Sequence, residues 1–424
     1  MAGAAVLLVT AGTLAACGGD GGGGTPTLTW YINPDSGGQA EIASRCTDEA
    51  DGAYRLSTEL LPNDAAGQRE QLIRRLAAED SSIDIMSLDP PFVAEFAAAG
   101  FLADVPDDLA DRTTEGVVQG AIDGATWEDE IVAVPFWANT QVLWYRKSVA
   151  EAAGLDMTQP VTWDQVIQAA QDQDVLIGAQ GARAESLTVW LNGLVESAGG
   201  SIIEENAEAP EDIVLGLDSE AGQRASEIIR AVADSGQVGP AFSTDDENAG
   251  ALGLVSDRGG FTVNYPFVWT LAQGQVTDGL LDQAVVDDID AAVWPQVDAD
   301  TPAAPPLGGI DLGVGAYSEN VDLAFEAAEC IRSEENQAYY FATNGNPAAL
   351  ASVFDDPEVL EVFPQAPVIR ESLELAAPRP QTPYYSEITG VVQRTYHPPA
   401  SVDDRTAAEA TDLIEAVLRG EQLL

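Results

Sequence analysis

The chain has 424 residues, 46% of them hydrophobic and 21% charged, an ordinary globular composition with room for two lobes or a few domains. Its 18 Lys and Arg face 70 Asp and Glu, a formal net charge of −52. That charge repels nucleic-acid phosphates and anionic lipid headgroups, and it disfavours a strongly anionic ligand. The acids are scattered rather than gathered in one tail, which reads as a hydrated surface suited to salt.

Residues 1–16 (MAGAAVLLVTAGTLAA) form an apolar run too short for a permanent membrane span, with the small residues of a signal peptide before a cleavage point. No basic residue opens it, the first being Arg45. Cys17 follows, then a glycine-rich tract to residue 24 that reads as a flexible tether. Beyond it, strands are expected at 28–32, 54–61 and 83–88. A helix runs through Cys46, another spans 68–78 on the apolar spacing of Leu72 and Leu76, and a third starts at Phe92. Residues 131–135 and 141–145 are strand-like with Asn139 between them. Short strands are expected at 261–264 and 312–316. Helices are expected at 163–171, 186–198, 220–234, 324–342 and 406–418, with acidic or proline-rich linkers at 206–212 and 298–306. Strands alternating with helices indicate α/β lobes with largely parallel sheets.

The cysteines are Cys17, Cys46 and Cys330, and the single histidine is His397. There is no CxxC, no D-x-D-x-D-G loop and no P-loop, so neither a metal nor any other cofactor is called for. The sequence LAAC ending at Cys17 resembles the lipobox of bacterial lipoproteins, which implies acylation of Cys17 and anchoring to the outer face of the cell membrane by lipid alone. Cys46 and Cys330 then remain, either as a disulfide in an oxidising exterior or as two buried thiols.

Six segments carry a further resemblance. They are 84–96 (DIMSLDPPFVAEF), 133–147 (AVPFWANTQVLWYRK), 189–200 (VWLNGLVESAGG), 263–267 (VNYPF), 308–314 (GGIDLGV) and 379–385 (RPQTPYY). Together they resemble the extracellular sugar-binding proteins of ABC importers, the group with maltose- and trehalose-binding members. The pair Cys46 and Cys330, the stretch LPNDAAGQREQL and Asn139-Thr140 are most similar to actinobacterial trehalose-binding lipoproteins. The resemblance implies an α/β, two-lobe periplasmic-binding-protein-like fold with hinge strands and an interlobe ligand cleft. Carried onto this chain, residues 1–16 are the signal peptide and 17–25 the lipidated cysteine and tether. Lobe one is 26–137 plus 309–352, and lobe two 138–308 plus 353–424, with hinges near Asn139 and 308–314. The implied role is capture of a disaccharide, trehalose favoured, by a monomer that delivers it to ABC importer permease subunits.

A sugar needs paired donors and acceptors for vicinal hydroxyls and a flat apolar face for its C–H groups. The resemblance implies Asp35, Gln68 and Asp89 from lobe one and Asn139 at the hinge. It implies Glu247, Tyr265 and Arg379 from lobe two, with the Gly309 backbone bordering the cleft. Tyr265 stands where the family usually places Trp. Each residue has a plainer reading. Asp35 shapes a turn, Gln68 is exposed in a first helical turn, Asp89 caps a helix, Asn139 is a turn residue, and Tyr265 is core. Glu247 is one acid among many. Arg379 between two prolines, in a chain poor in bases, has more need of a partner. Of the tryptophans only Trp137 reads as a cleft residue. The rival of another class is a glycoside hydrolase with paired carboxylates, but no acid pair stands in a catalytic context and no GxSxG occurs. Other rivals are a different ligand on the same fold (a maltose-type oligosaccharide, a polyol or a glycerol-phosphate ester) and a surface lipoprotein without a ligand.

Overall fold

A computed structural model describes residues 24–424 apart from Glu208. The signal-peptide reading of residues 1–16 and the lipidation reading of Cys17 lie outside the described residues. Among the described residues nine strands build the two main sheets: β1 (Thr27–Ile32), β2 (Arg55–Leu60), β3 (Ile85–Leu88), β4 (Val134–Thr140), β5 (Val142–Arg146), β6 (Leu176–Gly178), β7 (Gly259–Asn264), β8 (Ile289–Ala292) and β9 (Leu307–Val314). The first sheet has the order β2-β1-β3-β9-β4, and the second β8-β5-β7-β6. β1 is parallel to β2 and β3, whereas β9 runs antiparallel between β3 and β4. In the second sheet β7 is parallel to β6 and antiparallel to β5. The result is a two-lobe α/β fold with one sheet per lobe.

The chain passes between the sheets at the short step from β4 to β5, and again where Pro306 leads into β9. Thr140 Oγ1 donates to Pro306 O across 3.1 Å, and Leu307 N donates to Ala377 O across 2.8 Å, so three chain segments run side by side at the junction. β4 is buried at every residue, as a strand covered on both faces must be. Asn139 therefore lies inside a strand rather than between two of them. Ile131 belongs to a small hairpin with Trp127, apart from β4. The strand expected at 312–316 starts five residues earlier, because the glycine pair ahead of it is part of the ladder. Gly309 has φ +136°, and a Cβ there would sit 2.3 Å from Trp137 O, so only glycine lets β9 approach β4 so closely.

The helices used below are α1 (Gly38–Glu49), α2 (Ala65–Leu76), α3 (Pro90–Ala98), α4 (Glu185–Ser197), α5 (Glu247–Val255), α6 (Val321–Ile331), α7 (Glu334–Asn344), α8 (Ala366–Leu375) and α9 (Tyr385–Thr395). The single helix expected at 324–342 is two, α6 and α7. Ser333 breaks it by acting as an N-cap, accepting from Asn336 N. Cys46 on α1 and Cys330 near the end of α6 form a disulfide, with Cα atoms 5.8 Å apart, and so staple two helices of the first lobe. The first lobe's core packs Trp30, Phe136 and Tyr340, and the second's packs Trp163 against Trp190 and Trp294. A third cluster joins Val118 and Ala121 to Trp144, Trp269, Ile369 and Leu373, and so ties residues beside the first sheet to the second sheet and α8. Among the described residues no helix is long and apolar enough to cross a membrane.

Candidate functional site

Asp89 follows β3 at its carboxyl end, the position where open α/β sheets place ligand contacts, and is the N-cap residue of α3. Its carboxylate does not cap that helix. Pro90 and Pro91 carry no N–H to receive, so the first turn has little to offer it. The carboxylate turns instead to Arg379, whose Nη1 and Nη2 donate to Oδ2 and Oδ1 at 3.1 and 2.5 Å. Arg379 Nη1 also donates to Glu185 Oε1 at 2.9 Å. The side chain of Arg379 is 3% exposed and both acids are 19% exposed, so the triad is largely out of water. Burial works against the guanidinium's charge, but Asp89 and Glu185 hold it firmly protonated.

Glu185 opens α4 over the second sheet and is the most heavily used carboxylate of the site. Tyr385 Oη donates to its Oε1, and Thr389 Oγ1 donates to its Oε2 at 2.7 Å. Burial pushes its carboxyl up, opposed by Arg379 and these hydroxyls. Tyr385 and Thr389 lie on α9, and the Tyr385 ring also meets Phe92 of α3 edge-on at 5.6 Å. Asp89 of one lobe and Glu185 of the other thus share one cation, with an aromatic contact beside it.

Glu247 is the first residue of α5. Asp246, the N-cap, already accepts from Ala249 N at 2.9 Å, so Glu247 is not needed as a cap. Among the described residues no other residue bonds its carboxylate. Burial pushes that carboxyl up to about 7; Asp246 and Glu185 add to the push and Arg379 opposes it. Burial likewise raises the phenol of Tyr265, which feels the charges of Arg379, Glu247, Asp89 and Glu185. A Cβ on Gly308 would lie 3.8 Å from Tyr265 Oη and 3.9 Å from the Cβ of Asn139, which brings the junction strands against the same cluster. Asn139 Oδ1 accepts from Thr140 N at 3.0 Å, and its amide N–H groups have no protein partner among the described residues.

Asp89, Glu247, Tyr265, Asn139 and Arg379 therefore gather around one region, with Gly309 in the adjoining ladder. Asp35 and Gln68 are held locally. Asp35 accepts from Gly37 N and Gln39 N at 2.9 and 2.8 Å, and Gln68 donates to Pro62 O at 2.8 Å. Neither bonds the Arg379 cluster. Trp137 lies in the first lobe's core beside Tyr340, 6.3 Å between ring centres.

Two acids of the region had no sequence signal of their own. Glu185 is a single acid ahead of an apolar helix, and Asp311 a single acid in the run IDLGV. Asp311 is 2% exposed, its Oδ2 has no partner, and burial together with nearby Asp89 pushes its carboxyl well up. A separate groove of about 1470 Å³ runs between the end of α3, the hairpin around Trp127, and Asn206 and Tyr384; it includes none of these acids.

The model of the bacterial extracellular solute-binding protein family matches residues 57–338. The chain belongs to this family. It is a solute-binding protein, then, and not an enzyme. A protein of Deinococcus radiodurans described as "Probable ABC transporter-binding protein" is 22% identical over 330 residues, covering 73% of this chain and 72% of that one. Among solved structures, maltose-bound T. maritima MalE3 matches with a TM-score of 0.78 and 22% identity, over 94% of this chain and 100% of that one. The GacH receptor of Streptomyces glaucescens, solved unliganded and with acarbose, matches with a TM-score of 0.76 and 19% identity, over 93% and 99%. These two share the fold of this solute-binding protein.

Proposed function

We propose that this solute-binding protein captures a disaccharide, with α,α-trehalose favoured, in the cleft between its lobes and delivers it to the permease subunits of an ABC importer. It works as a monomer held outside the cell by a lipid on Cys17. The single observation that carries the reading is the Asp89–Arg379–Glu185 triad, which joins the two lobes through groups suited to sugar hydroxyls. Carboxylates pair with vicinal hydroxyls in two-point fashion, Arg379 holds Asp89 and Glu185 in place for this, and Tyr265 offers an aromatic face. A sugar isomer that leaves one of these buried groups unpaired forfeits about 1–3 kcal/mol, which gives such a cleft its selectivity. Closure of the lobes over the sugar then makes the form that docks on the importer.

Trehalose is favoured by the resemblance in Cys46 and Cys330, LPNDAAGQREQL and Asn139-Thr140. The second reading keeps the role and changes the ligand to a maltose-type oligosaccharide, supported by the maltose in T. maritima MalE3. A phosphate-bearing ligand fits less well, because both carboxylate partners of Arg379 already occupy its Nη atoms. The test is a melting-temperature panel in high salt with α,α-trehalose, maltose, sucrose and glucose. A clear rise with trehalose alone supports the favoured ligand, a rise with maltose instead supports the second, and no rise with any sugar contradicts both.

A further inference from the structure

The cluster around Arg379 holds more acid than base. Asp89 and Glu185 share the one guanidinium. Glu247 opens α5 beside Tyr265, its backbone O accepting from Asn264 Nδ2 at 2.7 Å, and no hydrogen bond from another residue reaches its carboxylate among the described residues. Behind Asp89 lies Asp311, buried and with an unpaired oxygen. The groups that face Glu247 are Glu185 from α4, Tyr265 after β7, Arg379, and Asp246 from its own helix start. The loop against the start of α5, whose Gly181 and Ala182 N–H groups donate to Asp245 O at 3.0 Å, carries Arg183, which is exposed to solvent and bonds none of these acids among the described residues. β6, β7 and the helix Phe267–Thr277 contain no acid or base. β5 carries only Tyr145 and Arg146, at the opposite end from Val142, which pairs with Asn264; Arg146 is engaged by Asp288 at 2.8 Å. An uncharged sugar closing over this cluster removes water from the Glu247 carboxylate and supplies no positive charge in return.

We infer that the cleft takes up a proton as it closes over an uncharged sugar, and that Glu247 receives it; this rests on the sugar-binding reading above. The protonated carboxyl then donates to a sugar oxygen, whereas its carboxylate form would have no cation left to face. The free protein's Glu247, already pushed up to about 7 by burial, is poised for this. The sign follows from linkage. Binding raises the group further, so the sugar binds the protonated form more tightly. Affinity is level below neutrality and falls by about tenfold per pH unit above it.

Calorimetric titration with α,α-trehalose and maltose at about pH 8, in phosphate and in Tris, counts the protons exchanged, because the two buffers differ widely in ionisation enthalpy. The expected result is uptake of about one proton per sugar bound at pH 8 and close to none at about pH 5.5. In Glu247→Gln the uptake disappears and the affinity no longer varies between about pH 7 and 9. Sugar binding without proton uptake at pH 8 overturns the inference and leaves the sugar reading standing. Binding of no sugar at any pH removes both. Should Glu247→Gln fail to fold, the proton count of the unaltered protein decides alone.

Discussion

Replacing Arg379 with alanine removes the cation that Asp89 and Glu185 share and leaves the two acids facing each other. Removing one partner of a buried ion pair costs about 3–5 kcal/mol. Here three hydrogen bonds of 3.1, 2.5 and 2.9 Å are lost, but each acid keeps 19% of its side chain exposed. The lower end, about 3 kcal/mol, is therefore expected, a fall of about 3–4 °C in melting temperature for a protein of this size. The loss depends on pH with a definite sign. Burial already pushes Glu185 up, and the variant lacks the guanidinium that opposes the push. Glu185 then takes a proton as the solution is made acid, which removes its unpaired charge, so the deficit shrinks from pH 8 towards pH 5. Scanning calorimetry of both proteins at the two pH values reads this directly. Adding Glu185→Gln to Arg379→Ala should recover part of the loss at pH 8. A melting temperature within about 1 °C of the unaltered protein, or an equal deficit at both pH values, would show that the Arg379 pairs contribute little.

The disulfide between Cys46 and Cys330 closes a separation of 284 residues. In the chain-entropy model its removal costs up to about 5–6 kcal/mol, so Cys46→Ala with Cys330→Ala should unfold at clearly lower urea concentration. Glu196, pushed up by burial to about 7 from 4.5, holds its proton in the folded chain more tightly than in the unfolded one. Stability therefore falls as pH rises through that interval, and Glu196→Gln should be about 2 kcal/mol more stable at pH 8 yet equal to the parent at pH 4 by urea unfolding. Gly309→Ala should destabilise by more than about 2 kcal/mol, since its Cβ meets Trp137 O at 2.3 Å on a backbone with φ +136°. Gly308→Ala, whose nearest neighbour is at 3.8 Å, should cost under about 1 kcal/mol in the same assay.

Local periodicity was legible where one helix face is apolar and the start is capped. The helix at Glu220–Asp234 has the expected bounds, with Ala225, Ile228, Ile229 and Val232 buried and Ser219 as its cap. Strand limits at the junction were not, because β4 and β9 owe their length to each other. Gly309 is there for the close approach of Trp137 O. Ser333 splits a helix because its hydroxyl serves the second half better than it would serve a continuous one. For the site, the scarcity of bases singled out Arg379. Its partner Asp89 lies 290 positions away and its second partner Glu185 lies 194 away. With 70 acids in the chain, nothing local marks Glu185 or Asp311; only the fold, by burying them beside one guanidinium, distinguishes them.

A sugar held between the lobes by the Arg379 cluster underlies every role proposed above. Calorimetric titration of α,α-trehalose and maltose into the unaltered protein, Arg379→Lys and Glu185→Gln tests it most directly. Lysine keeps the charge and loses the two-point geometry. The expected result is micromolar binding of one sugar by the unaltered protein and a loss of about 10–100-fold in each variant, on the scale of one buried hydrogen bond to a charged group. Unchanged affinity in both variants would contradict it and would move the search for the sugar to the groove beside Trp127 and Tyr384.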